Sequence, residues 1–202
     1  MMQSKITDYF TSKENLPYEQ FKSILDQLNN GLYKDTSITI ESYEDVEESL
    51  QNPIEDKEVI LLCEALKNNP HVKKIELILQ DIGDEGAKAL AEVDTIKELN
   101  LSFNKIGPVG AYSLAKSNLI SLDLACNLLT VDENDNARNN DDIELFINSL
   151  INNKTIKNLN LASSYLDSNL IYKLINNNIV IQELHLLGVF VNKEALKSIE
   201  NN

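Results

Sequence analysis

Apolar residues recur along this chain in one short pattern. In IKELNLSFNKIGPVGAYSLA, residues 96–115, Leu99 and Leu101 alternate with polar residues, which predicts a short β-strand with one apolar side. A second apolar set, centred on Leu114, follows at helical spacing and predicts a helix. VKKIELILQDIGDEGAKALA, residues 72–91, has the same pattern. One strand and one helix cannot bury their apolar faces alone, so we expect such units to stack.

The residues between strand and helix are typical of a turn. Asn104 follows the strand, where its side chain can bond backbone groups that a tight turn leaves unpaired. Gly107 and Gly110 are expected to allow a sharp turn into the helix. Gln80 stands in the first unit where the second has Asn104.

The same register continues beyond these two copies. The repeats start at Val72, Ile96, Leu119, Ile156 and Ile181. The third repeat is lengthened by the polar segment VDENDNARNN, residues 131–140, ahead of a helix predicted at residues 142–150. Asn127 occupies the asparagine position of the third repeat, and Ser164 and Val189 occupy it in the last two. Repeats at the ends of such an array are expected to lose the consensus, because they act as caps.

A degenerate first repeat and a helix ahead of it are predicted upstream. Ile38 and Ile40 predict the strand of a degenerate first repeat, with its helix at residues 57–66. Ahead of it lies an amphipathic helix with Pro17 in its first turn and apolar residues at Phe21, Ile24, Leu25 and Leu28. We therefore divide the chain into an N-terminal tail with a capping helix, residues 1–33, and a repeat domain, residues 34–202.

The repeats fit L-x-x-L-x-L-x-x-N-x-I-G-x-x-G-A-x-x-L-A, apart from Gln80 in the asparagine position. This is the pattern of a leucine-rich repeat, and it closely resembles the ribonuclease-inhibitor-like subclass. The resemblance implies an α/β fold, a solenoid forming a horseshoe segment of about five or six repeats with an N-terminal helical cap. It implies a non-catalytic protein–protein interaction module. The wealth of Asn, Lys and Ile resembles leucine-rich repeat effectors of intracellular bacterial pathogens, and also proteins of amoebae and protozoan parasites.

In such proteins the strands form a parallel sheet on the concave side, where partners bind. Alternate strand positions point outward. The fifth positions are polar and acidic: Glu76, Asn100, Asp123, Asn160 and His185. The seventh positions are small or apolar: Ile78, Ser102, Ala125, Ala162 and Leu187. The two rows predict a site for an extended or helical segment that carries Lys or Arg, with Phe103 as the nearest aromatic anchor. The alternative is an ordinary solvated sheet face without a partner.

A short motif precedes the repeats. QSKITDYF, residues 3–10, matches Q-x-x-[ILM]-x-x-[FY]-[FY], which resembles the motif by which replication and repair proteins bind the eukaryotic sliding clamp, PCNA. The resemblance implies that Ile6, Tyr9 and Phe10 fill an apolar pocket and that Gln3 fills a small polar one. The alternative is that Ile6, Tyr9 and Phe10 pack on the N-terminal cap of the solenoid.

A second class of function stays open beside these. LPYE, residues 16–19, with the apolar residues after it, resembles the first helix of an F-box, although the polar segment that follows does not continue the resemblance. Some GTPase activators share this repeat subclass, but they are longer and no finger residue can be assigned here. The alternative function is therefore an F-box-like substrate receptor or a GTPase-activating-type regulator.

Composition narrows the partners. The chain has 18 Lys and Arg against 32 Asp and Glu, a net charge of −14, which argues against direct binding of nucleic acid or anionic membranes. No apolar run is long enough for membrane insertion. Cys63 and Cys126 are interpreted as buried thiols in a reducing compartment, the cytoplasm or, for a translocated effector, the host cytosol or nucleus. We expect a monomer.

No catalytic, cofactor-binding or metal site is predicted. His71 and His185 lack a cysteine or acid at ligand spacing. Asp132, Asn134 and Asn136 imitate the start of a calcium loop, but Ala137 replaces its glycine and the closing acid is missing. Asp141 or Asp142 is expected to serve the start of the following helix instead. We therefore expect that the protein is not an enzyme.

Overall fold

The computed structural model describes residues 17–42, 53–132, 134 and 136–188. Helices and strands alternate through these residues. They are α1 Pro17–Asn29, β1 Ser37–Glu41, α2 Asp56–Leu66, β2 Lys74–Ile78, α3 Asp84–Ala91, β3 Glu98–Asn100, α4 Pro108–Ala115, β4 Ser121–Asp123, α5 Asn140–Asn152, β5 Asn158–Asn160, α6 Ser168–Asn177 and β6 Glu183–His185. Both elements predicted for the degenerate first repeat, the strand around Ile38 and the helix ending at Leu66, are present.

The six strands form one parallel sheet in chain order. Leu99 pairs with Ile75 on one side and with Leu122 on the other, so equivalent residues of successive repeats stand side by side. The ladder continues past the strand ends, since the Phe103 N–H donates to the Ala125 carbonyl at 2.9 Å. Each helix returns the chain to the start of the next strand, which confirms the predicted α/β solenoid.

The core lies between the sheet and the helices. The inward strand residues of the five registered repeats include Ile75, Leu101, Leu124 and Leu161, each fully buried. The helices cover them with small or branched side chains, as Ala111 and Leu114 do in α4. Each repeat buries apolar surface both within itself and against its neighbours. This burial stabilises the whole stack by about 25 cal/mol per Å² of apolar surface removed from water.

Helix α1 caps the N-terminal end of the sheet, as predicted. It buries Phe21 and Leu28, and its Gln20 Nε2 donates to the Thr39 carbonyl at 2.9 Å. The Tyr33 hydroxyl donates to the Ser37 carbonyl at 2.6 Å. These two carbonyls lie on the free edge of β1, so the cap satisfies groups that an exposed edge strand would offer to another chain. Burial, and after it the nearby Asp35 carboxylate, raises the pKa of Tyr33 to about 12.

The turns after β3 and β4 are held by buried asparagines, as predicted. Asn104 Nδ2 donates to the Leu77 carbonyl of the preceding repeat at 2.8 Å, and Asn104 Oδ1 accepts from the Ile82 N–H at 3.0 Å. Asn127 repeats the arrangement one unit later, with the Leu101 carbonyl at 2.8 Å and the Ile106 N–H at 3.0 Å. Asn104 and Asn127, the turn asparagines, therefore join each repeat to the one before it.

The two substitutes for asparagine differ in what they achieve. Gln80 Oε1 accepts from the Ile54 N–H at 2.9 Å, and its Nε2 donates to the Ser42 hydroxyl at 2.9 Å, so it also reaches the preceding repeat. Ser164 Oγ donates only within its own repeat, to the Leu161 carbonyl at 2.6 Å. Val189, the predicted substitute in the last repeat, lies outside the described residues.

The eighth residue of each of the five repeats that start at Val72, Ile96, Leu119, Ile156 and Ile181 has a left-handed backbone. The φ angles are 56° at Leu79, 57° at Phe103, 54° at Cys126, 55° at Ser163 and 77° at Gly188. This corrects the expectation for Cys126, which is only partly buried because it lies at the corner where the chain leaves the sheet. Cys63 is buried as expected.

Gly107 and Gly110, at the start of α4, serve a different purpose from the one expected. Gly107 has a φ of −91°, which any residue adopts. Its N–H and that of Gly110 instead donate to Asp84 Oδ1 of the preceding repeat at 2.8 and 2.9 Å. A Cβ on Gly110 would lie 2.7 Å from this oxygen. Glycine is needed here because the helices of adjacent repeats approach closely, and Asp56 stands against Gly86 in the same way.

A second set of asparagines fixes the turn from helix to strand. Asn153 Nδ2 donates to the Ala115 carbonyl of the preceding helix at 2.9 Å, and its Oδ1 accepts from the Ile156 N–H at 2.8 Å. Asn178 Nδ2 reaches the Leu150 carbonyl at 2.7 Å. Part of the abundance of asparagine therefore has a structural role, because these side chains bond carbonyls in the last turn of the preceding helix.

The insertion in the third repeat folds back on itself. Val131 and Ala137 form an antiparallel bridge. Asp132 Oδ1 accepts from the Asn134 and Asn136 N–H groups at 2.8 and 3.0 Å, so its carboxylate is used within the loop. Helix α5 is longer at both ends than predicted. Its capping residue is Asn139, not an aspartate, because Asn139 Oδ1 accepts from the N–H of the residue two positions on at 3.0 Å.

Candidate functional site

The sheet face turned away from the helices, called here the open sheet face, brings the predicted fifth positions together. The pairing runs Glu76 to Asn100, Asn100 to Asp123, Asp123 to Asn160 and Asn160 to His185. Neighbouring strands lie about 4.8 Å apart, so these side chains form one continuous row. We call these five residues the acid–amide row.

Hydrogen bonds orient the middle of this row. Asn100, Asp123 and Asn160 each use Oδ1 to accept from the backbone N–H two residues on, at 2.9, 2.9 and 3.0 Å. Asn160 Nδ2 donates to Asp123 Oδ2 at 2.9 Å. The Asp123 carboxylate is therefore held in place from two sides while the residue stays partly exposed. A side chain fixed in this way loses little further freedom when it binds a partner.

Glu76 lies at one end of the row and is already paired. It accepts from the Thr39 hydroxyl at 2.7 Å and lies 3.0 Å from Lys74 Nζ. Burial, the largest single influence, raises the pKa of Glu76, but the bonds from Thr39 and Lys74 and the Lys74 charge together lower it below its ordinary value. Glu76 is therefore ionised at neutral pH with its charge partly offset, which leaves Asp123 as the uncompensated negative charge of the row.

The predicted apolar row is interrupted in its centre. Ser102 and Ala125 are each only 7% exposed, so their short side chains offer a partner little surface. Ile78 and Ala162 are half-buried, and Leu187 is 82% exposed. Phe103, the predicted anchor, is 45% exposed beside this row. Apolar contact with a partner is thus available at the two ends of the row and at Phe103.

The remaining predictions concern His185, metal binding, the N-terminal motif and membrane insertion. His185 is exposed on the last described strand. Among the residues that the structure describes, no group of three His, Cys, Asp or Glu side chains is placed to hold a metal ion. The candidate clamp-binding residues Gln3, Ile6, Tyr9 and Phe10 lie outside the described residues. No helix in the described part is long and apolar enough to cross a membrane.

One row was missed by the sequence analysis. The second residue of each repeat lies along the edge where the strands begin, and a backbone ladder joins these residues at 2.7 to 2.8 Å. The row, called here the rim row, consists of Lys73, Lys97, Ile120, Lys157 and Gln182. Three of the five copies carry lysine at this position, which is a signal visible in the sequence. The prediction covered only the fifth and seventh positions of each repeat.

Cys63 offers no reactive site. Burial, followed by the charges of Glu64 and Glu92, raises the pKa of its thiol to about 12. The thiol therefore stays protonated at neutral pH, and a protonated thiol is a poor nucleophile.

Comparison with known proteins agrees with the repeat architecture. A family model described as "Leucine Rich repeat" matches residues 68–91 and 95–115. No curated protein matches the sequence. The chain is similar to a structure titled "Leiomodin-1 Actin-Binding Site 2 (ABS2)", with 18% identity over 90% of this chain and 86% of that chain and a TM-score of 0.48. A second similar structure is the tropomodulin C-terminal domain of Caenorhabditis elegans, with 15% identity over 90% and 89% and a TM-score of 0.47. The matched segments are leucine-rich repeats, and strand–turn–helix units of the same kind continue beyond them through the described residues.

Proposed function

We propose that the protein is a non-catalytic protein–protein interaction module whose open sheet face binds a partner segment carrying Lys or Arg. The observation that supports this most directly is the acid–amide row. Asp123 lies at its centre, held by the Ala125 N–H at 2.9 Å and by Asn160 Nδ2 at 2.9 Å. A fixed carboxylate flanked by amides suits a cationic side chain, because the charge and the hydrogen-bond acceptors are in place before binding.

The sequence offers a matched variant for this proposal. Asp123→Asn removes the charge, yet it keeps the Oδ1 acceptor that Asn100 and Asn160 use for the same backbone bond. We expect it to weaken binding of an alanine-based helical peptide with lysines along one flank by about five- to tenfold, the effect of one lost charge-assisted contact. Fluorescence anisotropy at low and physiological salt measures the change. Glu76→Gln should have a smaller effect, since Lys74 already pairs with Glu76.

Glu92→Gln supplies the control for net charge. Glu92 is exposed at the end of α3, on the helix side of the molecule, and its loss changes the net charge by the same amount. If Glu92→Gln weakens the peptide as much as Asp123→Asn does, attraction to the acidic protein as a whole explains the binding and the acid–amide row is not the site.

We further propose that Gln3, Ile6, Tyr9 and Phe10 bind a sliding clamp. In this proposal the protein is a bacterial effector with repeats of the ribonuclease-inhibitor-like subclass, and it meets the clamp inside a eukaryotic host. The motif in residues 3–10 and the asparagine-rich composition support it. The helical cap favours this proposal over an F-box, because α1 buries Phe21, Ile24 and Leu28 against its own repeats and so withholds its apolar face from a ubiquitin-ligase subunit.

A peptide of residues 3–13 tests the clamp proposal directly. We expect saturable binding to PCNA that weakens at least about tenfold when Tyr9 and Phe10 are both replaced by alanine, because two aromatic anchors are removed from an apolar pocket. Ser4→Ala, at a free position of the motif, should leave the affinity unchanged. Absence of saturable binding, or equal binding of the double variant, would remove the clamp from the list of partners.

A further inference from the structure

We infer that the partner segment is a helix charged on both flanks, with its basic flank over the acid–amide row and its acidic flank over the rim row. This inference rests on the proposed function and names the chemistry of the partner at that same face. The lysines that carry it are aligned, at least partly exposed, and without carboxylate partners among the described residues.

The rim row holds its lysines in backbone register. The Lys97 N–H donates to the Lys73 carbonyl, the Ile120 N–H to the Lys97 carbonyl and the Lys157 N–H to the Ile120 carbonyl, each at 2.8 Å. One lysine therefore stands on each of three strands, with Ile120, 44% exposed, between the second and third. This is a basic stripe in a chain with 18 Lys and Arg against 32 Asp and Glu.

The charges of this stripe are available to a partner. Lys73 and Lys157 are exposed, and neither forms an ion pair with a carboxylate in the described part of the chain. Lys97 Nζ donates to the Asp94 and Asn118 carbonyls at 2.9 and 3.3 Å, which fixes its position without neutralising it. Lys74, next to Lys73, behaves differently, since it lies 3.0 Å from the Glu76 carboxylate.

The dimensions of the face match a helix. Successive strands bring equivalent residues about 4.8 Å apart, close to the 5.4 Å of one helical turn, whereas same-side residues of an extended segment recur every ~6.7 Å. Three residues along a strand, from the rim row to the acid–amide row, span about 10 Å, and a helix is about 10 to 12 Å wide. A helix lying across the strands therefore reaches both rows, with acids roughly one turn apart opposite Lys73 and Lys97.

Between the rim row and the acid–amide row lies the row of third repeat positions, which is uncharged in its centre. Ser121 and Asn158 lie there on β4 and β5, whereas the exposed Glu98 and Glu183 lie on the flanking strands β3 and β6. Ile120 adjoins Ser121 in sequence, so the middle of the face combines one apolar side chain with uncharged polar ones. We therefore place the closest approach of the helix over β4 and β5.

Three alanine-based helical peptides test this inference on the full chain. The first carries Lys on one flank and Glu on the other, the second carries Lys on one flank and Gln on the other, and the third has the composition of the first with its charges shuffled. We expect the first to bind at least about tenfold more tightly than the third, since only segregated charges meet both rows. Lys73→Glu with Lys157→Glu should abolish most of this advantage.

Matched variants separate the possible outcomes. Lys67→Glu with Lys116→Glu makes the same charge change at the ends of α2 and α4, and should alter the affinity less than about twofold. Lys73→Gln with Lys157→Gln, checked for an unchanged melting temperature, repeats the test should the glutamate pair perturb folding. If Lys73→Gln with Lys157→Gln leaves the affinity for the Lys–Glu peptide unchanged, the rim row is not part of the site, although the proposed function stands as long as the Lys–Gln peptide binds. If no peptide binds, the proposed function fails as well.

Discussion

Asn127→Asp is expected to lower the free energy of unfolding by about 3 to 5 kcal/mol, the range for leaving a buried charge uncompensated. Asn127 Nδ2 donates to the Leu101, Leu124 and Ala125 carbonyls at 2.8, 3.2 and 3.3 Å. A carboxylate has no proton for them, so an anionic oxygen would face three carbonyl oxygens in a nearly dry turn. The Ile106 N–H would keep its acceptor, so the change isolates the lost donor.

Urea denaturation measures this loss, and Asn169→Asp is its control. Asn169 is exposed in the first turn of α6, where an acid favours the helix, so the same chemical change should cost less than about 0.5 kcal/mol. The surrounding carbonyls should raise the folded-state pKa of the new carboxyl above its unfolded value of about 3.9. The stability contributed by the protonated form is then complete below that value and is lost as pH rises. A deficit equal at pH 4 and pH 7 would contradict this account.

Gly110→Ala is expected to destabilise the protein by about 2 to 3 kcal/mol, although alanine favours a helix interior by about 1 kcal/mol. The added Cβ would lie 2.7 Å from Asp84 Oδ1, 2.9 Å from Asp84 Cα and 3.0 Å from Ala87 Cβ. The Cα belongs to the backbone of α3, so the two helices must separate to admit the methyl group. Thermal unfolding followed by circular dichroism measures the loss.

Two further variants identify its cause. Gly31→Ala meets no atom within 4 Å but has a φ of 67°, so it should cost only about 1 kcal/mol of backbone strain. Measured against Asp84→Ala alone, Gly110→Ala should cost less than it does in the parent but still destabilise, because the contacts with Asp84 Cα and Ala87 Cβ remain. A Gly110→Ala protein more stable than the parent would mean that the helices do not approach as closely as the structure indicates.

The sequence was sufficient for the architecture because each repeat restates the same periodicity. Ile75, Leu99 and Leu122 occupy the same repeat position and pair across the sheet, so one register placed all five members of the acid–amide row. The role of Asn104 followed from chemistry, since a tight turn leaves backbone groups that an amide can satisfy.

Other features left no recognisable signal. A left-handed backbone at Phe103 and Cys126 is not marked by glycine, and only the pairing of the strand ends imposes it. The use of Gly110 depends on how closely the preceding helix approaches, which its own segment does not encode. The low exposure of Ser102 depends on its neighbours in the same way. The rim row was visible in the alignment of the repeats, but its exposure and register required the structure.

The asparagines that bond the preceding repeat impose an order in which the repeats complete their hydrogen bonds. Asn104 reaches back to the Leu77 carbonyl, Asn127 to the Leu101 carbonyl and Asn178 to the Leu150 carbonyl. Each repeat thus receives, from its successor, an additional hydrogen bond to one of its carbonyls. A chain emerging from the ribosome would hold its newest repeat in an incomplete state until the next one is translated, so native structure should advance one repeat behind synthesis.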